Sequence, residues 1–276
     1  MARTDRGDTG PGPAALLRSL DASAQKALGQ HFLASPSVAS SIVRLAGVVP
    51  GSRVLEIGPG LGALTRLLVQ AGAEVVAVEQ DPALARWIRK TFPSVQVVKA
   101  DALGLDVEVL CPGTGWWCVS NLPYNVGTHL VGRLARLPGT FCRLVVMLQR
   151  EVGERIVARP GSRTYGALSV EMQARAEASL LLRVRPGAFH PPPRVASVVV
   201  RLDLGPRMGS VDPARFDAVV RAAFSTRRKT VRNALGAAFG IRTAEEALAA
   251  AGVDPGTRAE TLDVEAFSRI ASALYP

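Results

Sequence analysis

From about Ser52 onward, short runs of β-branched residues alternate with stretches of helical periodicity. Residues 53–57, 74–79, 95–99, 116–120 and 144–148 are dense in Val, Ile, Leu and aromatics, and each predicts a strand. Between them, residues 64–70, 83–91 and 128–137 repeat apolar positions three or four apart and predict helices. Pro82 sits where a first helical turn tolerates proline. Strands alternating with helices predict an α/β fold of βαβ units, with a mainly parallel sheet covered on both faces.

The pattern then changes. Residues 180–185 and 197–203 predict two strands around the loop Phe189-His190-Pro191-Pro192-Pro193, an antiparallel pair closing the sheet. Beyond Leu204-Gly205-Pro206 the strand signal ends. Residues 212–224, 227–239, 243–251 and 264–274 all read as helices, with starts at Asp212-Pro213 and Thr243-x-x-Glu246. A boundary is therefore expected within residues 205–209. It separates a domain over residues 25–205 from a small all-helical domain over 206–276, and residues 1–24 read as a flexible tail.

The chain has 276 residues, 48% of them hydrophobic, enough for a full core. No apolar run approaches the roughly 18 residues of a membrane span, and the N-terminus lacks a signal-peptide core. Cys111, Cys118 and Cys142 lie in or beside apolar runs without C-x-x-C spacing, and read as buried free thiols of a reducing, cytoplasmic compartment. His31, His129 and His190 have no ligand spacing, so no metal is expected. The net charge of +10 favours an anionic partner, nucleic acid before a membrane surface.

The strongest local signal is Glu56-Ile57-Gly58-Pro59-Gly60-Leu61-Gly62, a buried strand running into a glycine turn that opens a helix. Glycine admits positive φ and lets a ligand approach the main chain. The spacing is G-x-G-x-G behind an acidic residue, not the dinucleotide G-x-G-x-x-G. It resembles class I S-adenosylmethionine-dependent enzymes. A second strand ends at Glu79, whose carboxylate can accept from ribose hydroxyls, and a third ends at Asp101-Ala102.

A fourth strand ends in Asn121-Leu122-Pro123-Tyr124. This matches the (N/D)-x-P-(Y/F) motif of methyltransferases acting on exocyclic amines. An aniline-like amine is a weak nucleophile because its lone pair is delocalised into the ring. The Asn121 side-chain carbonyl and the Leu122 main-chain carbonyl can accept its two N–H groups and aim the lone pair. Tyr124 offers a flat face for a flipped base, and Pro123 holds Leu122 extended.

From about Gln25 onward the chain resembles the ribosomal RNA adenine dimethyltransferase family. Leu28-Gly29-Gln30-His31-Phe32-Leu33 is similar to its G-Q-[NH]-F-L segment, Phe189 to Ser197 to its F-x-P-x-P-x-V-x-S, and Phe224 to Asn233 to its F-x-x-R-R-K-x-x-x-N. The resemblance implies S-adenosylmethionine as cofactor, touched by His31, Leu33, Gly58, Gly60, Glu79, Asp101, Ala102 and Asn121. It implies that Phe189 faces the target base opposite Tyr124. It implies two adjacent adenines in a terminal hairpin of small-subunit rRNA as the target, approached by a monomer. Arg227, Arg228, Lys229 and Arg232 at a helix start suit phosphate contacts, and Gln149-Arg150-Glu151 with Arg155, Arg159 and Arg163 suit the RNA side; a salt-bridged surface helix fits these charges as well.

Other readings share these residues. One is the branch that methylates large-subunit rRNA and confers macrolide resistance. Another is a ribosome-assembly or RNA-binding factor without turnover. A DNA adenine methyltransferase fits less well, because no DNA-reading module is visible.

Overall fold

The computed structural model describes residues 12–20, 24, 29–205, 207–226 and 228–275. Helix α1 (Pro13–Ser19) is followed by the short strand β1 (Phe32–Leu33) and by α2 (Pro36–Ala46). There follow β2 (Arg53–Ile57), α3 (Ala63–Gln70), β3 (Glu74–Glu79), α4 (Pro82–Thr91), β4 (Gln96–Lys99), α5 (Val107–Leu110), β5 (Trp116–Asn121), α6 (Gly127–Leu134) and β6 (Phe141–Gln149). Then come α7 (Arg150–Ile156), α8 (Ala167–Gln173), β7 (Ala176–Val184), β8 (Phe189–His190) and β9 (Ser197–Leu204). Helices α9 (Pro213–Ala223), α10 (Val231–Phe239), α11 (Ile241–Ala250) and α12 (Val264–Leu274) complete the chain.

The main sheet has seven strands in the order β4-β3-β2-β5-β6-β9-β7. The five strands from β4 to β6 are parallel, and β9 runs antiparallel to both β6 and β7. The expected α/β architecture is present, with the antiparallel pair at one end. Alternation along each strand feeds two cores. Leu55, Ile57, Val76 and Val146 face one, while Val54, Val75, Ala77 and Val145 face the other.

Strand order reverses beside β2. The chain moves outward to β3 and β4, then returns to place β5 on the other side. Open α/β sheets bind ligands at such a switch point, beyond the carboxyl ends of the strands. Here the two strands diverge. Their pairing covers Val54↔Trp117 and Leu55↔Cys118, and the Ile57 N–H donates instead to the buried Ser120 hydroxyl at 2.8 Å.

Several elements exceed the expectation. Helix α2 is an addition to the expected elements: Ala39, Ile42, Val43 and Ala46 repeat helically and Ser35 caps its start. Helix α1 lies within the expected tail and buries Leu17 beside Phe32 and Leu84. Thr243 does not start a helix, because α11 already begins at Ile241 after Gly240, whose φ is 90°. Cys111 and Cys118 are buried, whereas Cys142 is exposed, since its neighbours Phe141 and Leu144 take the inward positions. No helix of the described residues is long and apolar enough to cross a membrane.

The last four helices enclose a further core around Phe216, Leu235, Leu248 and Phe267, which also takes in Tyr165 and Val170 from the region of α8. Asp217 of α9 is 4% exposed and accepts from Arg175 at 2.8 Å and Arg136 at 2.9 Å. This ion cluster joins α9 to the sheet side of the molecule.

Candidate active site

One cavity of about 210 Å³ opens beyond the ends of β2, β3, β4 and β5. All of the residues expected to touch a cofactor line it: His31, Leu33, Gly58, Gly60, Glu79, Asp101, Ala102 and Asn121. Leu122, Pro123 and Tyr124 line it as well.

The glycine turn is shaped by sterics. Gly58, Gly60 and Gly62 have φ of 67°, 56° and 84°, all in the left-handed region. A Cβ on Gly60 would stand 2.9 Å from the Phe32 ring, and one on Gly62 would stand 2.6 Å from the Phe92 ring. The turn therefore packs against side chains behind it while its backbone faces the cavity.

Glu79 closes the side of the turn. Its Oε2 accepts from the Gly60 N–H at 3.1 Å, and its Oε1 accepts from the Asp81 N–H at 2.9 Å. Burial pushes the carboxyl above its ordinary range, and these N–H donors oppose that shift. Asp101 accepts from the Leu103 N–H through Oδ1 at 2.9 Å, and its carboxylate is exposed. Two residues with no assigned role also matter here. Glu56 lines the cavity floor and accepts from Thr65 Oγ1 at 2.7 Å. Ser120 tethers the end of β2. Only the divergence of two strands reveals Ser120, so no sequence signal could have found it.

The Asn-Leu-Pro-Tyr turn follows β5. The Asn121 amide Nδ2 donates to the His31 main-chain carbonyl at 3.0 Å. Its Oδ1 is buried and has no hydrogen-bond partner among the described residues. Leu122 directs its side chain into the core at 1% exposure, and its N–H donates to the Met147 carbonyl at 3.3 Å. The Pro123 carbonyl accepts from Val126 and Gly127 and starts α6. Gly29 explains how the 29–33 segment comes so near. Its φ is 62°, and a Cβ there would stand 3.3 Å from the Tyr124 nitrogen.

Phe189 is not brought to the cavity. It lies in β8 opposite Leu33 of β1, is 4% exposed, and packs in the core. The ring beside Tyr124 is that of His31, with centroids 5.1 Å apart. Cross-strand pairing of β8 with β1 turns the phenylalanine inward. Among the described residues, no basic residue of the C-terminal part lines this cavity. Arg228 and Lys229 are exposed, Arg227 lies outside the described residues, and Arg232 is paired with Glu245 at 2.6 Å. Arg150 pairs with Glu154 at 4.0 Å within α7.

The site fits S-adenosylmethionine on its own chemistry. It has a backbone cradle, two carboxylates at successive strand ends, and an orphaned acceptor beside them. With the reversed strand order, these features define a class I methyltransferase. The chain belongs to the ribosomal RNA adenine dimethylase family, which matches residues 22–275. It is 43% identical over 262 residues to the ribosomal RNA small subunit methyltransferase A of Geobacter sulfurreducens, covering 91% of this chain and 95% of that one. The protein of the same name from Anaeromyxobacter dehalogenans is 43% identical over 281 residues, covering 97% and 99%. A dimethyladenosine transferase from Plasmodium falciparum has a similar fold, with a TM-score of 0.74 at 23% identity, covering 87% of this chain and 96% of that one. The 23S rRNA methyltransferase ErmE aligns with a TM-score of 0.69 at 26% identity, covering 89% and 100%. S-adenosylmethionine is the cofactor of this family.

Proposed function

We propose that this protein dimethylates N6 of two adjacent adenines in the terminal hairpin of small-subunit rRNA, acting as a cytoplasmic monomer without a metal. The observation that carries the chemistry is Asn121 Oδ1, a buried acceptor with no donor among the described residues, on a side chain that lines the same cavity as the glycine turn. A buried polar atom without a partner is costly, so its partner belongs to a ligand. An exocyclic amine supplies such an N–H. The small-subunit target is supported by the relatives that share 43% identity over nearly the whole chain.

In this reading Glu79 accepts from the cofactor ribose and Asp101 and Ala102 hold its adenine. His31 and Leu33 close the other wall, and the Gly58 and Gly60 backbone makes room. When bound, S-adenosylmethionine supplies an electrophilic methyl group. Asn121 Oδ1 and the Leu122 carbonyl accept from the target amine, draw it toward a tetrahedral shape and aim its lone pair. Tyr124 stacks the flipped adenine, which a single-stranded loop releases at low cost. Asn121 carries no carboxylate, so the proton leaves to water after transfer. The second methylation meets an amine with one N–H, so only one of the two carbonyls accepts from it at a time. Arg228 and Lys229 contact phosphates, and Arg232 joins them once its pair with Glu245 opens.

The test is methyl transfer from labelled S-adenosylmethionine to unmethylated small subunits, naked small-subunit rRNA, large-subunit rRNA and duplex DNA. Dimethyladenosine in the small-subunit hairpin is expected. Label only in large-subunit rRNA, or bound cofactor with no transfer at all, would overturn the reading.

A further inference from the structure

We propose that Ser197 is a positioning residue that braces Tyr124 in the orientation needed to stack the target base. This inference rests on the stacking role just given to Tyr124.

The Tyr124 and Ser197 hydroxyls are hydrogen-bonded to each other, 73 residues apart in sequence. Ser197 has the firmer footing. It is fully buried and opens β9, where it pairs with Gln149 of β6 on one side and Val184 of β7 on the other. Tyr124 lies on the turn after β5, half-buried, with no strand to hold it. A phenol ring on a turn can swing about its side-chain torsions. A bond from the hydroxyl at its far end to a sheet-anchored serine removes that freedom.

The neighbouring ring is held from the same connection. His31 Nδ1 donates to the Pro191 carbonyl at 2.8 Å, and its ring stands 5.1 Å from that of Tyr124 at an interplanar angle of 37°. Pro191 lies in the stretch joining β7 to β9, and Ser197 stands where that stretch enters β9. That stretch therefore ties down both rings at the mouth of the cavity without contributing its own Phe189 to the wall. Stacking catalysis depends on geometry held to fractions of an ångström. The Tyr124–Ser197 bond acts on turnover, and it touches neither the turn after β2 nor Glu79 nor Asp101 of the cofactor subsite.

The experiment measures kcat, KM for unmethylated small subunits, and cofactor affinity for Ser197→Ala, Ser197→Thr, Tyr124→Phe, the Ser197→Ala/Tyr124→Phe pair and Tyr124→Ala. Ser197→Ala and Tyr124→Phe are each expected to lower kcat about 3- to 10-fold, the span of one neutral hydrogen bond. The double variant should fall no further than either single one, because both remove the same bond. Ser197→Thr should restore most of the rate, and cofactor affinity should stay at the parental value throughout. Tyr124→Phe removes the bond from the other side if Ser197→Ala folds poorly. Parental kcat in Ser197→Ala and Tyr124→Phe would overturn the brace, as would effects that multiply in the double variant or a parallel loss of cofactor binding. If Tyr124→Ala turns over at the parental rate, the stacking role itself fails. If Tyr124→Ala is inactive while Ser197→Ala and Tyr124→Phe are parental, only the brace fails.

Discussion

Asn121 gives its amide N–H to the main-chain carbonyl of His31, and its own carbonyl oxygen is left buried without a donor among the described residues. The first bond decides the second fact. With Nδ2 donating to His31, the amide orientation is set, and Oδ1 takes the position opposite that carbonyl. Segment 29–33 thus selects the acceptor that the proposed chemistry would use.

Asn121→Ala should lower kcat on the order of a hundred-fold, comparable to losing one preorganised polar group at a reacting centre. Asn121→Asp keeps an acceptor but cannot donate to His31, so its rate should fall between the parent and the alanine variant. Single-turnover rates at saturating cofactor measure this directly. An aspartate variant slower than alanine would contradict the acceptor role.

The glycine turn offers a separate handle on the cofactor. Gly60→Ala forces an L side chain to φ of 56° and pushes its Cβ against Phe32. It should cost about 1–2 kcal/mol from the backbone alone, and it should weaken S-adenosylmethionine binding. Glu79→Ala should weaken binding by roughly 10- to 100-fold through loss of a charged acceptor. Calorimetric titration with S-adenosylhomocysteine would show both, and parental affinity in Glu79→Ala would remove it from the site.

Glu56 links the site to pH. Burial pushes its carboxyl from 4.5 up to about 8; the Thr65 hydroxyl opposes the shift and the neighbouring Glu79 adds to it. The folded protein keeps a proton there that the unfolded chain releases above about pH 4.5. This contribution to stability is complete below pH 4.5 and is lost as pH rises toward about 8. Glu56→Gln retains an acceptor for Thr65 and does not titrate. Its melting temperature relative to the parent should therefore climb between about pH 4.5 and about 8. A difference that is flat with pH would exclude Glu56 as the titrating group.

Asp217 tests the junction between the sheet and the C-terminal helices. Arg175 is 4% exposed, and Asp217→Ala would leave it buried without its carboxylate. Removing one partner of a buried pair costs about 3–5 kcal/mol. Urea denaturation should show a loss of that size, with Arg136, which is more exposed, contributing less.

The sequence by itself determined strands β2 to β6 and the helices α3, α4 and α6 between them, because an apolar strand and an amphipathic helix are local patterns. It also determined the glycine turn, the strand-end carboxylates and the Asn-Leu-Pro-Tyr turn, since each needs particular residue types at a fixed spacing. The tertiary structure alone decided which way those groups face. Phe189 sits in the core and not at the cavity, because β8 pairs with β1, a contact more than 150 residues apart in sequence that no local pattern records. Arg232 carried the right charge for phosphate, yet its partner Glu245 lies on the next helix. Asn121 reads identically in either amide orientation, and only the His31 carbonyl, brought near by Gly29, fixes it. Spacing along a chain specifies which chemical groups are available; long-range pairing specifies their direction and which partners they have already met.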